Sequence, residues 1–448
     1  MTEHSGPLDH REMLRLRAEW LKTKGYVHDP ITGLPTLPAV IEEVRRRIES
    51  GERVGAVYLD MQNEEQLESI YGWETYDGLI QQVATAIQSL FGGPLKASDV
   101  IALRAVRSDE FLLFLTSEGR EHFDERTLRR LRDRIVHELS MLLQIEVGFE
   151  GPRGLGLHTA CAMLGYDPTM RIERIIYKTV DEIKDQCRRE RAEQITARLA
   201  ELRRILSSED IRVRYQPIVW LGDRRIFGFE ALSGGPAGHL FENSEMLFSF
   251  AEKTDQIREL ERLCRLQSLR GATQLSRGRK LFLNTSVHSV EDTEFFTGPV
   301  AEEAERIGIV RRDIVLEITE RVAVTSWQSF RRHLADLRHS GFAVAIDDMG
   351  AGYSSLHTVA EIEPDYLKFD ISLVRDIHLS PIKQDLLGSL VDLARKIDAK
   401  VIAEGVEKAE EYVALREMGV TFGQGYYFAR PGTVALDSQH PVEPVAAG

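Results

Sequence analysis

Apolar residues recur along the chain in two different rhythms, and the change between them divides it. From about residue 27 to 187, short strand-like apolar runs at 56–59, 111–115 and 159–164 lie between helix-period stretches such as 79–90 and 171–187. That mixture predicts an α+β domain. Residues 188–208 contain no Gly or Pro, and Ile195, Leu199, Leu202 and Leu206 fall on one helical stripe, which predicts a connecting helix. From 209 to about 435 strands and helices alternate, with strand candidates at 213–219, 226–232, 281–284, 314–318, 343–347, 366–369, 401–404 and 421–424. Eight strands interleaved with helical segments over that length predict a TIM-like β/α barrel, so the chain as a whole reads as α/β. At the front, Asp9 and Glu12 have the spacing of a capping box and Gly25 supplies a stop, predicting a helix at about 9–24 within an N-terminal segment 1–26. Residues 436–448 read as a loose tail.

Composition narrows the chemistry. The 448 residues carry a formal charge of −14, which makes a poor general binder of nucleic-acid polymers or anionic membranes. An anionic ligand would therefore need a mediating cation. The three cysteines, Cys161, Cys187 and Cys264, have no CxxC spacing, which excludes a disulfide framework and a thiolate zinc site. No apolar run approaches the roughly 18–20 residues needed to span a bilayer, and no secretory signal is visible. The expectation is a cytoplasmic protein without a membrane segment.

The barrel half places carboxylates at the ends of apolar runs. Glu230 ends FGFE, Glu317 ends IVLE, Asp347 and Asp348 end AVAIDD, and Glu404 ends VIAE. Asn284 ends LFLN, Lys368 sits in YLKFD and Gln424 in FGQGYY. In a parallel barrel the carboxyl ends of the strands meet at one rim, where the active sites of such barrels sit. Five crowded carboxylates raise one another's pKa unless a cation intervenes. All-oxygen donors favour a hard ion, Mg²⁺, Mn²⁺ or Ca²⁺. Two divalent ions and Lys368 would bring the group near neutrality, and a two-metal site suits in-line attack on a phosphodiester.

The segment 209–435 resembles the EAL-domain cyclic di-GMP phosphodiesterases. The resemblance is carried by Tyr215-Gln216-Pro217-Ile218-Val219, Glu230-Ala231-Leu232, Asn284, Leu316-Glu317-Ile318-Thr319-Glu320 and Asp347-Asp348-Met349-Gly350. It continues in Leu367-Lys368-Phe369-Asp370, Ala403-Glu404-Gly405-Val406-Glu407 and the 424–431 segment ending Arg430-Pro431. The resemblance implies a TIM-like barrel, a Mg²⁺ or Mn²⁺ two-metal site and opening of cyclic di-GMP to the linear dinucleotide pGpG. Glu230, Asn284, Glu317, Asp347, Asp348 and Glu404 would hold the metals. Lys368 would position or help activate the attacking water, and Glu404 would serve the metals or act as general base. Gln424 would support the metal-bound water or the substrate. Glu320 and the loop 347–355 would couple the site to a homodimer interface. Gln216, Leu232, Asp370, Glu407 and Pro431 would line the substrate site. Protein signalling partners are a further expectation of the resemblance. One departure stands out: the family commonly has Arg two residues after its name motif, and this chain has Gly234. That substitution keeps a second reading open, a weak or inactive cyclic di-GMP receptor or scaffold acting through protein contacts.

Residues 27–187 resemble a GGDEF (diguanylate cyclase) domain with degraded motifs. The opening turn stands as Asp29-Pro30-Ile31-Thr32-Gly33-Leu34-Pro35, and Asp60 follows a strand-like run. The name motif is Arg107-Ser108-Asp109-Glu110-Phe111, without the two glycines that let backbone approach a phosphate. Glu68 and Ser69 stand at the base-reading positions, Gly72-Trp73 replaces Gly-His, and Lys96 and Asp99 are the nearest echo of the inhibitory site. The expectation is a GGDEF-like module without cyclase chemistry, in which Asp60 and Glu110 retain the means to hold a cation.

Overall fold

The computed structural model describes residues 27–61, 73–143, 157–275, 278–290, 298–319, 327–350 and 356–433. The expected helix at 9–24, Glu68, Ser69, Gly72, Glu320, positions 351–355 and the tail lie outside the described residues. Two compact units divide between Leu199 and Ala200.

The first unit is built on a four-stranded sheet of β1 (Val54–Asp60), β2 (Val100–Leu103), β3 (Glu110–Thr116) and β4 (His158–Met163). Its order is β2-β3-β1-β4, and every pair is antiparallel. Strand alternation sorts the side chains into two cores. Val57, Leu59, Phe111, Leu113 and Leu115 face helices Trp73–Ser89 and Glu125–Leu143. Ala56, Tyr58, Leu112 and Phe114 face helix Leu37–Glu49 and the first turns of helix Ile172–Ser208. β2 was missed in the sequence because four apolar residues are too short a run to show a period. The helices expected at 171–187 and 188–208 are one continuous helix of 37 residues, since nothing between them breaks the backbone.

The second unit is a closed eight-stranded barrel, ordered β10-β11-β12-β5-β6-β7-β8-β9. Its strands are β5 (Arg212–Trp220), β6 (Ile226–Gly234), β7 (Lys280–Thr285), β8 (Ile314–Thr319), β9 (Ala343–Met349), β10 (Tyr366–Phe369), β11 (Lys400–Ala403) and β12 (Phe422–Gly423). All eight expected strands are present. The expectation of an all-parallel barrel is corrected: β5 runs antiparallel to both β6 and β12. The five-residue link between β5 and β6 is too short for a crossover helix, so the chain turns back as a hairpin.

This architecture positions the site by simple alternation. Ile218, Phe282, Val315, Ala345, Tyr366, Ile402 and Phe422 form an apolar layer that fills the barrel interior. Two residues onward on the same face of each parallel strand stand Asn284, Glu317, Asp347, Lys368, Glu404 and Gln424. Because β5 is reversed, the corresponding step from Ile218 runs backward, to Gln216. A second, larger core packs the outer faces of these strands against the surrounding helices. Among the described residues no helix is long and apolar enough to cross a membrane.

Candidate active site

The polar layer closes around Lys368. Its side chain is fully buried, and its Nζ lies 2.6 Å from Glu317 Oε1, 2.7 Å from Glu404 Oε1, 3.0 Å from Asp347 Oδ1 and 3.4 Å from Glu230 Oε2. The sequence placed this amine at a common mouth with the acids; the structure brings it among them and buries it, because its strand position faces the barrel axis. Burial alone would lower the Lys368 pKa, but Asp347, Glu230, Glu317 and Glu404 outweigh it and hold the ammonium well above the ordinary lysine value.

The acids pay unequally for this crowding. Glu317 is fully buried, with Lys368 Nζ against its Oε1 and no hydrogen bond to its Oε2 among the described residues. Burial, then the charge of Glu230, push its carboxyl well above the usual range, with Lys368 opposing. Burial likewise raises Glu404, again against the pull of Lys368. Asn284 Nδ2 approaches Glu230 Oε1 at 3.5 Å, at the limit of a hydrogen bond. Gln424 Nε2 donates to Glu230 Oε2 at 2.6 Å and to Gln216 Oε1 at 3.0 Å, while Gln216 Nε2 donates to the Ala429 carbonyl at 3.1 Å. Gly425 secures that arrangement: at φ 155° a Cβ there would lie 2.1 Å from the Val406 carbonyl oxygen.

Asp347 and Asp348 are adjacent, so a regular strand would send them to opposite faces. The strand is not regular here. Asp348 has φ 59°, and the register between β9 and β10 shifts between Leu367 and Phe369. This bulge turns the second aspartate toward the same group as the first. Carboxylate oxygens of Glu230, Glu317 and Asp347 lie within 4.8 Å of one another, and so do those of Asp347, Asp348 and Glu404. The two trios share Asp347. The donors are all oxygen, and the single Lys368 ammonium faces more carboxylates than it can neutralise, so the group fits a pair of hard divalent cations. The left-handed backbone at Asp348 also makes a stability prediction. Asp348→Asn is expected to tolerate that conformation, whereas Asp348→Ala loses about 1–2 kcal/mol relative to it, measured by urea unfolding.

The remaining expected residues fall around this group. Leu232 is half-buried on the inner face of β6. Asp370 Oδ1 accepts the Ser372 amide at 2.8 Å and so caps a short helix. Glu407 is exposed, 3.9 Å from Arg375. Pro431 precedes Gly432, which bridges to Tyr215 of β5. Gly234 ends the inner face of β6, where a Cβ would meet the Glu242 carbonyl oxygen at 3.0 Å.

In the first unit Glu110 is already neutralised: Lys184 Nζ pairs with Oε1, and Arg104 Nη1 lies 3.1 Å from Oε2. Burial would raise the Glu110 pKa, but hydrogen bonds from Lys184 and Tyr58 outweigh it and leave it lowered. The expectation that Glu110 stands ready for a cation is therefore corrected; one of the two cations, Lys184, comes from 74 residues away in sequence. Arg107 adopts φ 56° despite its side chain, so the turn keeps a glycine-like backbone. Its amide donates to Asp29 Oδ2 at 2.7 Å, a carboxylate where a phosphate-cradling loop would offer a free N–H. Asp99 is structural: it pairs with Arg120 and accepts the Thr116 amide at 2.9 Å.

Comparison with known proteins follows the same division. A family model described as "EAL domain" matches residues 199–431. The cyclic di-GMP phosphodiesterase PdeR of Escherichia coli (strain K12) is 27% identical over 428 residues, covering 90% of this chain and 61% of PdeR. The probable cyclic di-GMP phosphodiesterase PdeG of the same organism is 33% identical over 239 residues, covering 52% of this chain and 46% of PdeG. The chain thus spans about half to three-fifths of these relatives' lengths. The solved Xanthomonas citri FimX EAL domain in complex with c-diGMP shares the fold, with 20% identity and a TM-score of 0.50 over 55% of this chain and 97% of that one.

Proposed function

The chain belongs to the EAL domain family, and on that premise we propose that it is a metal-dependent phosphodiesterase that opens cyclic di-GMP to linear pGpG. One observation carries the reading: two carboxylate trios, one buried and one partly buried, share Asp347 in the polar layer of the barrel. Glu230, Asn284, Glu317, Asp347, Asp348 and Glu404 would hold two divalent ions, which supply Lewis-acid charge for the attacking and leaving oxygens of an in-line displacement.

The chain's own residues do the rest. Lys368 opposes the rise that burial imposes on Glu317 and Glu404 and aims the four carboxylates inward, and thereby helps orient the water that attacks phosphorus. Glu404 takes the proton of that water as the new P–O bond forms and the bond to the ring's sugar oxygen breaks. Gln424 is fixed by Glu230 and Gln216 through its amide nitrogen, which leaves its buried carbonyl oxygen to receive a hydrogen bond. Gln216, Leu232, Asp370, Glu407 and Pro431 line the approach. Homodimerisation through 347–355 with Glu320 belongs to the same proposal, as does a GGDEF-like front unit without cyclase activity. Neutralised Glu110 and the Asp29-occupied amide of Arg107 support that last part.

The test is direct. The full chain with Mg²⁺ or Mn²⁺ is incubated with cyclic di-GMP and the products are separated. Accumulation of pGpG, lost on chelation, is the expected result. Binding without turnover would instead favour the receptor reading, for which Gly234, with no side chain to meet a phosphate, is the supporting observation.

A further inference from the structure

Arg212, Arg214 and Gln216 lie two apart on β5 and therefore share one face of the strand. Gln216 marks that face as the inner one, since it bonds Gln424 within the polar layer. Ile218, the next residue on the face, belongs to the apolar layer below. Because β5 is antiparallel to its neighbours, its N-terminal end lies at the rim where the other strands finish. Arg214 and then Arg212 thus stand above Gln216 toward the open end, in steps of about 7 Å. The register agrees: Arg214 pairs with Leu232 and Arg212 with Gly234, on the strand that carries Glu230.

Both arginines are exposed. Arg214 makes no ion pair or hydrogen bond among the described residues. Arg212 approaches Glu242 at 3.8 Å, a loose surface pair, and Gly234 opposite it contributes no side chain to crowd the space. Neighbouring cations are committed elsewhere. Lys368 is buried under four carboxylates, and the Arg430 guanidinium sits 4.3 Å from the centre of the Tyr426 ring.

A cyclic dinucleotide carries two phosphodiesters, and only one can occupy the reacting position. The other remains charged, above a site whose acids repel it. A planar guanidinium fork matches two phosphate oxygens, and the rim of β5 presents two such forks on the inner face. We propose that Arg214, supported by Arg212, holds the non-reacting phosphodiester of the substrate. This rests on the phosphodiesterase reading above. The two arginines are binding residues that set affinity and register; they take no part in bond breaking.

The experiment compares the full-length parent with Arg214→Met, Arg214→Lys, the double variant Arg212→Met/Arg214→Met and, as a control, Arg225→Met. Arg225 lies at the opposite end of the β5–β6 hairpin, where it faces Asp223 at 3.5 Å. Steady-state hydrolysis of cyclic di-GMP is measured with Mg²⁺, and equilibrium binding with Ca²⁺ by calorimetry. For Arg214→Met, KM and Kd are expected to rise about 10- to 100-fold with kcat within about threefold of the parent. Arg214→Lys should recover part of the loss, the double variant should lose more, and Arg225→Met should match the parent. Arg214→Met with KM and Kd unchanged, in an active parent, overturns the assignment and leaves the phosphodiesterase reading standing. So does a loss confined to kcat, which would put Arg214 at the reacting centre. A parent that neither binds nor hydrolyses the dinucleotide overturns both.

Discussion

Glu317→Gln is expected to lower kcat for cyclic di-GMP by at least about 10³-fold without destabilising the metal-free protein. The two halves of that result have one cause. Glu317 is the most deeply buried acid of the group, and its close cationic neighbour, Lys368, is shared with three other carboxylates. Holding its negative charge there costs the fold free energy, which is why burial and Glu230 raise its pKa. Glutamine has the same shape and no charge, so it removes the cost together with a cation ligand. Losing Lewis-acid stabilisation worth several kcal/mol gives the fall in rate. The pH dependence follows in sign. A carboxyl whose folded pKa is raised contributes most stability below its ordinary range, and that contribution is lost as pH climbs through the raised value. The Tm of the metal-free parent should therefore fall on this account between acidic and neutral pH, and Glu317→Gln should flatten the fall. Saturating Mg²⁺ should raise the Tm of the parent more than that of the variant. Scanning calorimetry with and without chelator reads all three effects. A variant with parental turnover, or one whose metal-free Tm drops by many degrees, would remove Glu317 from the proposed role.

Much of this was legible in the sequence, for a physical reason. Seven of the eight barrel strands have an apolar interior residue two positions from the polar one, as in Val315 and Glu317 or Tyr366 and Lys368, so most runs announced both strand and site. Strand direction was not legible, because alternation reads the same both ways. Only the five-residue link between Trp220 and Ile226 implies a hairpin, and the importance of Arg212 and Arg214 depends on it. The inward turn of Asp348 was hidden as well, since a bulge leaves no mark on composition. Nor could local pattern reveal that Lys184, 74 residues from Glu110, would neutralise it; such a pair exists only once the sheet and helix have packed.

Lys368→Met tests the other side of the same electrostatic balance. Methionine fits an enclosed, apolar-walled position as well as the lysine stem does. Four carboxylates within 3.4 Å then lose their buried partner. Breaking a buried ion pair in this way costs about 3–5 kcal/mol, because the charges left behind stay desolvated. For a unit of this size that corresponds to a metal-free Tm lower by about 6–20 °C. Divalent ions replace part of the missing charge, so Mg²⁺ should recover much of the loss in Tm. It should not recover turnover, which is expected to stay at least about 100-fold down because the carboxylates have lost the group that aims them. If Lys368→Met does not fold, Lys368→Met/Glu317→Gln supplies the same information. Removing one buried negative charge along with the positive one should restore a soluble, cooperative fold, and the pair should show strongly non-additive stabilities. A Lys368→Met protein as stable without metal as the parent would mean that the four acids are protonated or hydrated enough to need no cation, and that Lys368 does not organise the site.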